Sequence, residues 1–299
     1  MWPDPQAEAL DRTFAKDLSM YNRPSTTDDA IKTSASLCDE ARWDEAGALL
    51  KWLLRSETDK VRCARLKIAL TRVYDGEDWS RGLRDRVRKH ALLDEVDQVA
   101  GNEPCVLLAD ALFQRGTALH LEFIMAEGDP DRELECLSRA AELYEAHGDR
   151  ENAALATAFV GIFHHVDRLD RDTAEPLLRR AYDMSLPEAS HARSEAARHL
   201  GQIVQERGDA VGAIPLLEES LRQRAEAGQS RYLAAALHAL GFAWLEAGDF
   251  AKAQDYLQRA RENGERYGNR FFLTMIARTE TELAFTRYLG PSSRGRYYA

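Results

Sequence analysis

Long apolar runs, phosphate-gripping glycine loops and clustered cysteines are all missing from this 299-residue chain. No stretch approaches the roughly 18 uninterrupted apolar residues of a membrane-spanning helix, so no span is expected. The N-terminus, Met1-Trp2-Pro3-Asp4-Pro5, has no basic segment followed by an apolar core, so no signal peptide is expected. Cys38, Cys63, Cys105 and Cys136 are widely spaced, with no Cys-x-x-Cys and no histidine at ligand spacing. They read as buried thiols in a reducing cytoplasm, with no support for a disulfide framework or a zinc knuckle. Basic residues are outnumbered, 40 Lys and Arg against 50 Asp and Glu, for a net charge of −10. An acidic surface repels a phosphate backbone, so direct nucleic-acid binding is disfavoured. β-branched residues are sparse and strict apolar–polar alternation is hard to find, which argues against sheet.

Catalytic signatures are missing too. There is no Gly-x-x-x-x-Gly-Lys-[Ser/Thr] loop, no His-Glu-x-x-His and no Gly-x-Ser-x-Gly. His164-His165 is conspicuous, but adjacent helical residues point about 100° apart and cannot easily share one metal. His199 is within reach of His238 across neighbouring helices, yet such a pair lacks a third ligand. No cofactor, metal or catalytic set is assigned. The enzyme question stays open, with the balance against catalysis.

What the chain has is helix-forming composition and a repeat. Hydrophobic residues make up 44% and charged residues 30%, as in a soluble folded protein. Alanine, leucine, glutamate and arginine dominate, and all favour helix. Leu240-Gly241 lies 40 residues after Leu200-Gly201, and Gly248-Asp249 lies 40 after Gly208-Asp209. Ala253, Leu257 and Ala260 repeat Ala213, Leu217 and Ser220 at the same offset, and Gly161 lies 40 before Gly201. Ala174-x-Pro176-Leu177-Leu178 matches Ala213-x-Pro215-Leu216-Leu217 with a one-residue slip. A period in this range is the mark of a solenoid.

The repeated residues have physical roles. A glycine inside a helical pattern costs about 1 kcal/mol relative to alanine. Gly201 and Gly241 therefore imply close approach of a neighbouring helix, and the small residues Ala213, Ser220, Ala253 and Ala260 imply the same. Gly208 and Gly248 suit the left-handed end of one helix, and Asp209 and Asp249 the cap of the next. Asp129-Pro130 and Gly148-Asp149 extend this grammar, and Arg42-Trp43-Asp44-Glu45-Ala46 is an early, fainter copy.

The pattern predicts helices near 28–40, 43–56, 60–75, 80–100, 104–127, 130–147, 150–167, 172–186, 190–207, 210–228, 230–247, 250–267 and 270–288. Residues 1–27 read as an irregular lead-in and 290–299 as a flexible basic tail. Between them, 28–289 is expected to be one continuous helical array, divergent over 28–105 and clearer over 106–289.

The stretch Leu240-Gly241-x-x-Trp244, Gly248-Asp249-Phe250-x-x-Ala253-x-x-x-Leu257-x-x-Ala260 resembles a tetratricopeptide repeat. Leu200-Gly201-x-x-Val204, Gly208-Asp209-x-x-x-Ala213-x-x-x-Leu217-x-x-Ser220 looks like the preceding copy. The 40-residue spacing is similar to the longer-helix variety in sensor regions of bacterial regulators. The resemblance is strong over 190–268, fair over 106–190 and weak before 105. It implies an all-α solenoid of helical hairpins, wound as a right-handed superhelix, in which the first helix of each pair lines a concave groove.

In the resembling proteins, positions three before, one after and four after the structural glycine point to that groove. Gly241 then selects His238, Phe242 and Leu245, and Gly201 selects Arg198, Gln202 and Gln205. Gly161 selects Ala158, Ile162 and His165, and Gly116 selects Phe113, Thr117 and His120. Adding 40 to Gly241 reaches Thr281, which selects Arg278, Glu282 and Phe285. Glu195, one turn before His199, joins them as groove electrostatics. The mixture suits a polar or anionic chain, so the expected partner is a protein or peptide and the expected role regulatory or adaptor. Two rivals stand beside it: a small-molecule binder or unusual enzyme with a histidine-containing cavity, and a homo-oligomeric scaffold joined through Phe271, Phe272, Leu283, Phe285 and Tyr288.

Overall fold

The computed structural model describes residues 26–81, 86–125 and 129–289. Most of the expected lead-in and all of the expected tail lie outside them. The described residues form thirteen α-helices and one short 3-10 turn, with no strand among them. We number the helices α1 (Thr27–Asp39), α2 (Trp43–Ser56), α3 (Lys60–Arg81), α4 (Arg86–Ala100), α5 (Val106–Ile124), α6 (Pro130–Ala146) and α7 (Arg150–Val166). The series continues with α8 (Arg171–Met184), α9 (His191–Glu206), α10 (Ala210–Glu226), α11 (Leu233–Ala247), α12 (Phe250–Tyr267) and α13 (Arg270–Leu289). The fold is an all-α solenoid, and consecutive helices pack as neighbours.

Helix boundaries follow the stop–start chemistry. Gly208 and Gly248 adopt φ of 92° and 86°, where a side chain would be strained. Asp129, Asp149, Asp170, Asp209 and Asp249 each accept a hydrogen bond from an amide in the first turn of the following helix.

Each clear hairpin is closed by one contact. A Cβ added to Gly116, Gly161, Gly201 or Gly241 would lie 2.6–2.9 Å from the side chain of Leu137, Leu178, Leu217 or Leu257 on the second helix. The bare glycine lets that leucine sit on the first helix's backbone. Ala174, Ala213 and Ala253, and Ala181, Ser220 and Ala260, are all fully buried at matching places on the second helices.

The divergent N-terminal part departs from the expected boundaries. The helix expected near 60–75 runs on through Gly76 to Arg81. The ring of Trp43 lies on the bare Cα of Gly76, so packing against α2 outweighs the glycine's helix cost. Lys89 on α4, wholly buried, reaches Asp75 Oδ1 at 2.8 Å and Asp78 Oδ2 at 2.7 Å on α3, which fastens the two helices. The cysteines are all free thiols, but only Cys38 and Cys136 are buried; Cys63 and Cys105 are partly exposed.

The two ends of the array meet. Trp79 packs edge-on to Phe271 at 5.3 Å and stacks on Phe272 at 6.0 Å between ring centres. The Tyr267 hydroxyl donates to the Asp39 carbonyl at 2.7 Å, and Arg231 lies over the Trp43 ring. Phe271 and Phe272 are therefore engaged within the chain; of the other residues expected on an open terminal helix, Leu283 is buried, Phe285 is 38% exposed and the Tyr288 side chain lies outside the described residues.

Gly241→Ala should cost about 1–3 kcal/mol of stability, because the new methyl meets a packed leucine. Leu257→Ala in the same chain should relieve part of that cost. Gly47→Ala is the control, since its added Cβ would meet nothing nearer than 3.9 Å. Urea unfolding measures all three, and equal losses at Gly241 and Gly47 would contradict the contact.

Candidate functional site

The first helices of the clear pairs, α5, α7, α9, α11 and α13, stand side by side. Their adjoining faces carry polar groups that bond from one helix to the next at a near-constant step. His165 Nε2 lies 3.2 Å from Glu206 Oε1, Gln205 Nε2 donates to Glu246 Oε2 at 2.6 Å, and His238 Nε2 lies 2.9 Å from Thr279 Oγ1. Each pair is 41 residues apart, one repeat plus one. These bonds form a polar ladder across the array.

The ladder sorts the sequence-selected positions. Those four after the glycine, His120, His165, Gln205 and Leu245, are all buried against the adjoining repeat. Phe113, Ala158 and Ile162 are also buried; Phe113 packs edge-on to Tyr144 and Phe159. Arg198, Gln202, His238, Phe242 and Glu282 keep partial exposure, and Arg278 is exposed. These six lie on α9, α11 and α13, while Thr117 on α5 is also partly exposed.

Glu195 is not a surface group. It is buried on α9 between two arginines and a histidine: its Oε1 accepts from the wholly buried Arg224 and lies 3.3 Å from His191 Nε2, and its Oε2 accepts from Arg198 at 2.8 Å. Burial raises its pKa, but Arg224 and Arg198 overrule burial and hold it well below the usual carboxylate range. The Arg198 Nε is buried and has no hydrogen-bond partner.

The histidines also rearrange relative to expectation. His199 does not pair with His238. Its Nδ1 lies 2.9 Å from Nδ1 of His165, ring edge to ring face, and its Nε2 is buried without a partner. Burial, then Arg198 and His165, push His199 well down, so it is neutral at pH 7. Burial, with Arg198 adding to it, lowers His238 to about 4. His165, His199, Glu195 and His238 thus divide among separate hydrogen-bond groups.

A further group escaped the sequence reading. His120 Nδ1 lies 3.0 Å from Glu133 Oε1 and 3.6 Å from Asp167 Oδ2. Glu133 starts α6 and Asp167 follows the last residue of α7, so neither belongs to the glycine-based register. Burial lowers the His120 pKa, but the two carboxylates more than offset it and raise it; burial raises Glu133.

Residues 192–266, spanning α9 to α12, match the tetratricopeptide repeat family model. That segment is built of tetratricopeptide repeats. The helical array is similar in fold to a Rap protein complexed with Competence and Sporulation Factor, at 16% identity over 88% of this chain and 73% of that one, TM-score 0.57. It is also similar to aspartyl phosphate phosphatase F from Bacillus subtilis, at 13% identity over 97% and 76%, TM-score 0.54. A signal-transduction ATPase with a tetratricopeptide-repeat sensor from Pyrococcus horikoshii aligns over 93% of this chain and 44% of its own, at 12% identity and TM-score 0.52. At such identities the likeness is one of fold. No curated protein matches the sequence significantly. No helix among the described residues is long and apolar enough to cross a membrane.

Two arginines of this helical array should respond differently to removal. Arg198→Ala leaves buried Glu195 short of one partner and should cost about 1.5–3 kcal/mol. Arg278→Ala, at an exposed position, should change stability by no more than about 0.5 kcal/mol. Thermal melts decide, and equal effects would contradict the arrangement.

Acid should destabilise the array. His238 and His199 bind fewer protons folded than unfolded, so the stability they confer is present above their ordinary 6.5 and is lost as pH falls; for His238 the loss runs down to about 4. His238→Gln should flatten the stability–pH curve in that window by up to about 1.4 kcal/mol per pH unit. An unchanged curve in urea titrations would refute the assignment.

Proposed function

We propose that this array is a regulatory or adaptor module that holds a peptide, or an extended segment of another protein, on the inner face of α9, α11 and α13. The observation that carries the reading is the division of labour within that face. The ladder takes up His165, Gln205 and one ring nitrogen of His238, while Arg198, Gln202, His238, Phe242, Arg278 and Glu282 keep exposed surface on successive first helices. Cation, amide, imidazole and aromatic groups in that order suit an extended polar chain with an anionic group. Helical repeats present such a run as a long surface rather than one deep pocket. The Rap protein of similar fold is itself complexed with a factor, which favours the same kind of use here.

The remaining alternatives are weaker. A histidine-lined catalytic cavity needs His165, His199, Glu195 and His238 together; His165 and His199 meet each other, but Glu195 is held by Arg224 and His238 by Thr279. A homo-oligomeric scaffold would have used Phe271 and Phe272, which Trp79 covers. Four free thiols suit a reducing compartment, and we place the protein in the cytoplasm. The net charge of −10 disfavours nucleic acid.

A bead-displayed library of random short linear peptides tests the proposal. Wild-type protein should enrich peptides that carry a carboxylate near one end. Arg278→Ala and Phe242→Ala should reduce that binding about tenfold, the loss of one charge-assisted hydrogen bond or one aromatic contact. Arg278→Ala should do so with an unchanged melting temperature. No enrichment, or enrichment indifferent to both substitutions, would refute the reading.

A further inference from the structure

His120, Glu133 and Asp167 form the one group among the described residues in which three potential ligand atoms from His, Cys, Asp or Glu converge, all within 4.8 Å of one another. We propose that these three side chains bind a divalent first-row transition-metal ion of the zinc class, which clasps α5, α6 and the end of α7.

The first argument is orphaned atoms. The side chains of Glu133 and Asp167 are 0% exposed and that of His120 is 10% exposed. Glu133 Oε2 and both oxygens of Asp167 are buried without a hydrogen-bond partner. Buried carboxylate oxygens are costly when unpaired. A protonated imidazole cannot remedy this, because Nδ1–H points one hydrogen and already lies 3.0 Å from Glu133 Oε1. Asp167 is left at 3.6 Å, beyond hydrogen-bond length.

Charge is the second argument. Two carboxylates and an imidazolium leave one net negative charge in the protein interior. Two carboxylates, a neutral imidazole and a divalent cation sum to zero. Asp167 is also the C-cap of α7, where the helix dipole is negative and a carboxylate without a cation is disfavoured.

Geometry and ligand chemistry fit the same class of ion. Ligand atoms bound at about 2.0–2.2 Å around a tetrahedral centre stand about 3.4 Å apart. The observed 3.0 Å and 3.6 Å straddle that value. One imidazole nitrogen with two carboxylates suits zinc and its neighbours better than magnesium or calcium, which prefer oxygen alone. The Phe159 ring meets His120 edge-on and walls one side. Three ligands leave a fourth position for water.

The test uses the full chain, dialysed against chelator and titrated with zinc chloride. Wild type should bind one equivalent, with a rise in melting temperature. In a nitrogen-15 ring spectrum, one of the eight histidines should lose its Nδ1 proton and shift on zinc addition; His120→Gln should remove that signal. Asp167→Asn and Glu133→Gln should each weaken the stoichiometric binding by at least about tenfold. The histidine spectrum needs no variant to fold, because it is read on wild type. If Nδ1 of His120 keeps its proton at saturating zinc, the three residues are a proton-bridged ion group and the proposal fails. It also fails if Asp167→Asn and Glu133→Gln, both folded, bind zinc as tightly as wild type.

Discussion

Everything regular in this molecule depends on a leucine resting on a glycine. In four successive hairpins the second helix places a leucine side chain where a Cβ on the first helix would be. That contact fixes how near the two helices lie and at what rotation. Small residues on the second helices, fully buried, let the spacing hold along the hairpin. Once rotation is fixed, the rest of each first helix is assigned: one face toward its own partner, one toward the adjoining repeats, one left over. The fold turns a 40-residue sequence period into a physical period of side-chain rows.

The row between first helices is polar, which is unusual for a buried seam. His165, Gln205 and His238 each find a partner on the next first helix, and Glu195 sits among Arg224, Arg198 and His191. Buried polar groups of this kind specify one arrangement because any slip leaves them unpaired. They also set the electrostatics of the inner face. Arg198 on α9 keeps partial exposure and Arg278 on α13 is exposed. At the other end, Trp79, Phe271 and Phe272 join the divergent N-terminal helices to the last repeat, so the aromatic groups of α13 serve closure.

The periodic half of the chain was legible because the glycine, the leucine, the small residues and the aspartate caps repeat at a fixed offset. Each has a local physical reason, so the helices from 106 onward follow from the sequence. The helix expected near 60–75 proved longer because the Trp43 ring holds Gly76 within it, a tertiary contact that no local pattern shows. The glycine register marked His120, His165 and Gln205 as groove positions, and they are buried, since the register does not give the distance to the next helix. Residues that follow the period could be paired across repeats. Asp167 and Glu133 lie at helix ends, out of register with His120, and no spacing rule joins them. The pairing of His199 with His165 rather than His238 depends on which neighbour each ring leans toward, a choice that 3.6-fold periodicity does not encode.

Hydrogen exchange of the array, alone and saturated with a peptide selected from a random library, reads the inner face directly. Protection by the peptide should concentrate on α9, α11 and α13, around Arg198, Phe242 and Arg278, with α8, α10 and α12 unaffected. Protection confined to those second helices, or to the surface of α1 and α2, would contradict an inner-face binding site.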